Sequence, residues 1–127
     1  MIKKVFLICP VRNASPEKKL RMQRYVWDME HEGYDVYYPA VDTDQNDEIG
    51  YRICSDNAKA ILEADEVHIF WDKDSKGSLF DLGVAFAYGK PLVLINPEDV
   101  DGVEGKSFEN MICYWSFKSE EEDETGI

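Results

Sequence analysis

The chain has 127 residues, 14 Lys and Arg against 26 Asp and Glu, a formal net charge of −12, and 44% hydrophobic residues. That is one domain's length, with enough apolar content for a core that needs no disulfide or metal staples. So acidic a surface repels the phosphates of duplex nucleic acid and of anionic membranes. That argues against both as partners and leaves room for a single nucleotide in a local nest of donors.

Cys9, Cys54 and Cys113 fall inside apolar or helical patterns without C-x-x-C spacing, which predicts buried free thiols in a reducing compartment, the cytoplasm. The first apolar run is too short for a signal peptide or a membrane span. Residues 1–118 are expected to form the domain. Residues 119–127, with the run Glu120-Glu-Glu-Asp-Glu124, are expected to be an acidic, disordered tail.

In chain order, residues 2–9 end in a continuous apolar run, as in a central strand covered on both faces. The loop Pro10-Val-Arg-Asn-Ala-Ser15 leads to a helix capped by Ser15, with Pro16 in its first position, that Gly33 stops. A second strand covers 34–38, and residues 40–50 form an acidic loop. Asp42, Asp44 and Asn46 have the spacing of a calcium loop. Asp47 and Ile53 occupy the places of its obligatory glycine and glutamate, so a mobile, solvated loop is expected instead.

A helix over 51–64 and a strand over 66–70 follow. The next stretch runs from the strand through a polar loop with Asp72, Ser75, Gly77 and Ser78 into a small-residue helix that Gly89-Lys90-Pro91 ends. Such a strand–loop–helix junction turns backbone N–H groups outward, where they and the helix dipole favour an anion. Asp81 has two readings here. It closes a capping box with Ser78, or it aims a carboxylate at whatever the loop holds. A fourth strand over 92–96, a short helix over 107–111 and a fifth strand over 113–117 complete the chain.

Strands alternating with helices predict an α/β, flavodoxin-like, doubly wound sheet of five parallel strands in the order 2-1-3-4-5. Its ligand crevice lies where the order reverses, at the loops after the first and third strands. Arg12 stands there, as a phosphate or carboxylate clamp or as a plain surface charge. Asp56 and Asn57 lie near the start of the helix over 51–64 and face either the crevice or solvent. His68 is read as a hydrogen-bonded core residue. There is no Cys/His cluster, P-loop, G-x-G-x-x-G or G-x-S-x-G, so no metal and no cofactor is expected.

Val5-Phe-Leu-Ile-Cys-Pro-Val-Arg12, the segment from Asp56 to Asp65, and Gly77-Ser-Leu-Phe-Asp-Leu-Gly-Val-Ala85 with Gly89-Lys-Pro-Leu-Val-Leu94 together resemble the nucleoside 2-deoxyribosyltransferase superfamily. That superfamily includes the 2′-deoxynucleoside 5′-monophosphate N-glycosidases. The resemblance implies a homodimer or larger homo-oligomer with shared sites, and a carboxylate that attacks the anomeric carbon of the sugar.

Carried over, Asp81 stands at the nucleophile's place, where the family has glutamate. Arg12, Ser75 and Gly77 match the phosphate-binding positions, with Pro10, Asp72 and Ser78 beside them. Phe6 takes the place of a first-strand tyrosine that orients the nucleophile, and Asn57, next to Asp56, that of a helical aspartate. Glu109, with Asn110 beside it, falls where a neighbouring subunit contributes. The implied activity is N-glycosidic cleavage or deoxyribosyl transfer on a nucleoside or nucleoside 5′-monophosphate. The three altered positions support an alternative, a non-catalytic nucleotide-binding protein that senses or sequesters its ligand.

Overall fold

The computed structural model describes residues 2–124. Its elements are β1 (Lys4–Ile8), α1 (Pro16–His31), β2 (Asp35–Tyr37), a single turn α2 (Pro39–Asp42), α3 (Tyr51–Glu63), β3 (Glu66–Ile69), α4 (Lys76–Ala87), β4 (Leu92–Leu94), a 3-10 turn at Pro97–Asp99, and α5 (Phe108–Glu124). The strands form one all-parallel sheet in the order β2-β1-β3-β4.

β1 is central and covered on both faces, which is why its residues are almost all apolar. Val5, Leu7 and Cys9 point to the side of α1 and meet Met22, Val36, Tyr38 and Phe70. Phe6 and Ile8 point the other way, to Ile61 of α3 and to Leu82 and Ala85 of α4. Helix α1 starts as expected, with Ser15 accepting from the Lys18 N–H at 3.2 Å and Pro16 at its first position, and it ends at Gly33 with φ 98°. His68 is buried between Tyr25 and Glu66, at 2.5 and 2.9 Å from its two ring nitrogens, a satisfied core histidine.

The expected fifth strand is the main correction. Residues 113–117 belong to α5, and the sheet has four strands among the described residues. The aromatic, strand-like composition of Cys113-Tyr-Trp-Ser-Phe117 loses to what the helix does for the edge of β4. The Leu94 N–H donates to Ser116 Oγ at 3.1 Å and the Leu92 N–H to Ser119 Oγ at 2.9 Å, while Trp115 Nε1 donates to the Lys90 carbonyl at 3.0 Å. Two serines at helical i, i+3 spacing thus satisfy alternate amides that a fifth strand would have paired, and Ile112 enters the core beside them. The helix continues through Glu120 to Glu124, where a disordered tail was expected; residues 125–127 of that tail lie outside the described residues. It also leaves Cys113 exposed on its outer side, whereas Cys9 is buried and Cys54 half-buried; all three are free thiols.

Candidate active site

The junction after β3 folds one turn earlier than its sequence suggests. Ser75, not Ser78, caps α4: its Oγ accepts from the Ser78 N–H at 3.2 Å and donates to Ser78 Oγ at 2.9 Å. Asp81 is then the sixth helical residue, too far along to close a capping box. Its side chain turns inward instead, and the residue is 7% exposed. No cation pairs with it among the described residues. Burial pushes its carboxyl up to about 7, a rise that the Asn57 side chain opposes. Its charge reaches Cys9, at the end of β1, and Cys54 in α3. Burial first and Asp81 second push the Cys9 thiol up to about 12, and the same two causes raise that of Cys54. The carboxylate therefore lies among the C-terminal end of β1, α3 and α4, at the crevice expected of this topology.

Of the two candidates in α3, the structure brings Asn57 to the site and not Asp56. Asn57 is buried and its Nδ2 lies 3.5 Å from Asp81 Oδ2. Asp56 is exposed and pairs with Arg52 at 3.2 Å, one turn back on the same helix. Behind Asn57 runs a chain that no sequence motif announces. Thr43 Oγ1 donates to Asn57 Oδ1 at 2.7 Å, and Tyr37 OH lies 2.6 Å from Thr43 Oγ1. Phe6 is fully buried and stacks on the Tyr37 ring at 5.3 Å, the two residues being direct partners in the β1–β2 register. Its place is behind Tyr37, with no surface of its own turned outward.

Thr43 belongs to the acidic loop expected to be mobile, and that loop is pinned. Tyr37 and Asn57 hold Thr43 from either side, while Asp47 accepts from the Ile53 and Ile49 N–H groups at 3.1 Å each. Those bonds, Ile53 first, hold the Asp47 carboxyl below its usual range. Arg52 donates to the Asp44 and Asn46 carbonyls at 2.9 and 3.0 Å.

Of the phosphate-binding candidates, Arg12 and Gly77 are exposed and Ser75 is half-buried. Arg12 is exposed, in a turn after β1, and makes no hydrogen bond or ion pair with the described residues. Gly77 is exposed in the first turn of α4, and a Cβ added there would meet nothing within 4 Å. The N–H groups of Lys76 and Gly77 have no protein acceptor among the described residues, as expected for the first positions of a helix. Asp72 is half-buried. Burial would raise its carboxyl, but the Asp74 N–H and Lys18 Nζ, at 2.9 and 3.0 Å, hold it below its usual range. Pro10 is buried at the end of β1 and lines a cleft of about 280 Å³ with Lys19, Tyr38 and Ala40.

Glu109 is half-buried in the first turn of α5. Asn110 is committed to the fold, its Nδ2 donating to the Val103 and Gly105 carbonyls at 2.6 and 2.5 Å and its Oδ1 accepting from the Val103 N–H at 3.3 Å. A polar residue not singled out in the sequence, Asn96, is fully buried and ties β3 to β4, accepting from the Trp71 N–H at 2.7 Å and donating to the Trp71 carbonyl at 2.9 Å. A larger groove, about 830 Å³, runs along the outer edge at β2 between α1 and α3 and includes none of Arg12, Ser75, Gly77 or Asp81.

No family model matches the sequence, and no curated protein matches it. Solved structures do. The chain is similar to the CMP N-glycosidase BcmB of Clostridium botulinum, with 23% identity over 72% of this chain and 70% of that one and a TM-score of 0.53. It is similar also to a 2-deoxyribosyltransferase of Bacillus psychrosaccharolyticus, with 20% identity over 86% of this chain and 90% of that one and a TM-score of 0.57. At these identities the likeness is one of fold, and it places the four-stranded parallel sheet and its helices among architectures that house nucleotide N-glycosidase and deoxyribosyltransferase enzymes.

Proposed function

We propose that this protein cleaves or transfers the N-glycosidic bond of a nucleoside or nucleoside 5′-monophosphate, with Asp81 as nucleophile. The observation that carries the reading is the state of Asp81: buried, with no cation beside it among the described residues, at the crevice end of the sheet, and with its carboxyl raised to about 7. A carboxylate so placed is costly for folding alone, and groups of this kind concentrate at reactive centres. The fold it shares with a CMP N-glycosidase and a 2-deoxyribosyltransferase points to the same chemistry.

In this mechanism an Asp81 oxygen attacks the anomeric carbon while the carbon–nitrogen bond breaks. The bonding pair goes to the base, which leaves with a proton taken from water. The glycosyl ester on Asp81 is then opened by water, which loses a proton, or by a second base. The N–H groups of Lys76 and Gly77 and the Arg12 guanidinium, without partners among the described residues, and the open space over Gly77 suit a 5′-phosphate. A homo-oligomer fits α4, whose outward face beyond its first turn is apolar. Phe80 and Phe86 are 48% and 62% exposed on the helix that carries Asp81, and a second copy is the natural cover.

The deciding experiment incubates the protein with a panel of ribo- and deoxyribonucleosides and their 5′-monophosphates, with and without a second free base, and separates the products by chromatography. Base release that disappears in Asp81→Ala supports the glycosidase, and an exchanged base makes it a transferase. Base release that survives Asp81→Ala overturns the mechanism. No release from any substrate, with a thermal shift by one nucleotide, would instead establish the binding-only reading that Phe6, Asn57 and Asp81 suggest by departing from the family pattern.

A further inference from the structure

We infer that Tyr37 and Thr43 are positioning residues that hold the Asn57 carboxamide in register with Asp81, its donor face to the carboxylate and its acceptor face to the acid form. The inference rests on the reading of Asp81 as the reacting carboxylate and concerns four side chains from three elements and a loop: Tyr37 in β2, Asn57 in α3, Asp81 in α4 and Thr43 in the loop after α2.

Counting protons gives the chain its direction. An ionised Asp81 only accepts, so the Asn57 Nδ2 must face it and the Oδ1 must face Thr43. Thr43 has one proton, and at 2.7 Å it gives that proton to Asn57 Oδ1. The hydroxyl can then only accept from Tyr37, 2.6 Å away. Each hydroxyl proton is used once, and the Tyr37 ring is fixed from behind by the buried Phe6.

A protonated Asp81 reverses each link. Its hydroxyl donates to a turned Asn57 amide, Asn57 donates to Thr43, Thr43 to Tyr37, and Tyr37 to the Asp42 carbonyl, which waits 3.3 Å from the phenol oxygen. The network therefore closes in both protonation states, and the spare acceptor at Asp42 is what makes the second one complete. The loosest link is the one to Asp81 itself, at 3.5 Å, so the orientation of the amide matters more there than the strength of the bond. Around the carboxyl, the other titratable groups that feel its charge are the Cys9 thiol from β1 and the Cys54 thiol from α3.

The test titrates Asp81 directly, by carbon NMR of the protein labelled at aspartate carboxyls, with Asp81→Asn identifying the resonance. In Thr43→Val the amide loses the partner that orients it in both protonation states, and the Asp81 midpoint is expected to move by about half a pH unit to one unit, the equivalent of one modest hydrogen bond. Thr43→Ser keeps the hydroxyl and is expected to restore the wild-type midpoint. Tyr37→Phe keeps the ring on Phe6, removes only the outer donor, and is expected to give a smaller shift in the same direction. An Asp81 midpoint unchanged in both Thr43→Val and Tyr37→Phe overturns the proposal. Should Thr43→Val not fold, Tyr37→Phe decides alone. Because the readout needs no turnover, a protein whose midpoint shifts as expected but that releases no base would keep this relay and discard the glycosidase reading.

Discussion

Asn57 and Asp81 are 24 residues apart in the chain, and their side chains come within 3.5 Å of each other in the fold. This amide is the one side chain that opposes the upward push of burial on the Asp81 carboxyl. Removing it in Asn57→Ala is therefore expected to raise the Asp81 midpoint above about 7. A nucleophilic carboxylate works ionised, so the rising limb of kcat/KM against pH moves to the alkaline side and activity at pH 7 falls. A pH–rate profile between about pH 5 and 9 for the best substrate measures this. A limb that stays where it was would remove Asn57 from the site.

The same burial has a stability consequence of definite sign. The Asp81 pKa is about 7 in the folded chain against an ordinary 3.8. Below the ordinary value both states are protonated and nothing is lost. As pH rises from about 4 to about 7 the unfolded chain ionises first, so the folded state loses stability over that window and regains none above it. Asp81→Asn lacks this loss and should be more stable than wild type at pH 8 by roughly 2–4 kcal/mol, with little difference at pH 4. Urea unfolding at the two pH values checks it, and the same variant should release no base. Equal gains at both pH values would mean that packing, not charge, is responsible.

Arg12 offers a way to separate phosphate binding from chemistry. It is exposed and free of protein partners among the described residues, so replacing it should leave the fold intact. Arg12→Ala is expected to raise KM for a nucleoside 5′-monophosphate about tenfold, the worth of one charge-assisted contact, and to leave KM for the matching nucleoside unchanged. A similar loss for both substrates would show that Arg12 does not read the phosphate.

What the sequence made legible was the frame. The apolar run of β1, the Ser15-Pro16 start of α1 and the small-residue helix before Gly89 each carry a local signal, and parallel order follows from alternation. What it hid depends on contacts between distant segments. Thr43 looked like one more polar residue in an acidic loop, because its burial comes from Asn57 and Tyr37 on other elements. Asn57 and Asp56 were indistinguishable until the phase of α3 turned one inward and left the other to Arg52. The start of α4 lies one turn before the cap that Ser78 predicts, because Ser75 and Ser78 are equally good caps in isolation. The segment 113–117 has strand composition, and only the open edge of β4 decides that it is a helix.

That last choice can be tested directly. The Leu92 and Leu94 amides point out of the sheet edge and are satisfied by Ser119 and Ser116 hydroxyls. In the double variant Ser116→Ala, Ser119→Ala the helix keeps its apolar contacts through Ile112 and Trp115, and alanine is if anything the better helix former. Helix propensity and edge satisfaction therefore push in opposite directions. Two partly buried N–H groups left without acceptors cost on the order of 1–3 kcal/mol each, against a propensity gain of a few tenths of a kcal/mol per site. The variant is expected to be less stable, with faster hydrogen exchange at the Leu92 and Leu94 amides and unchanged exchange in β1. Stability equal to or above wild type would mean that the serines fill space along β4 without holding its edge.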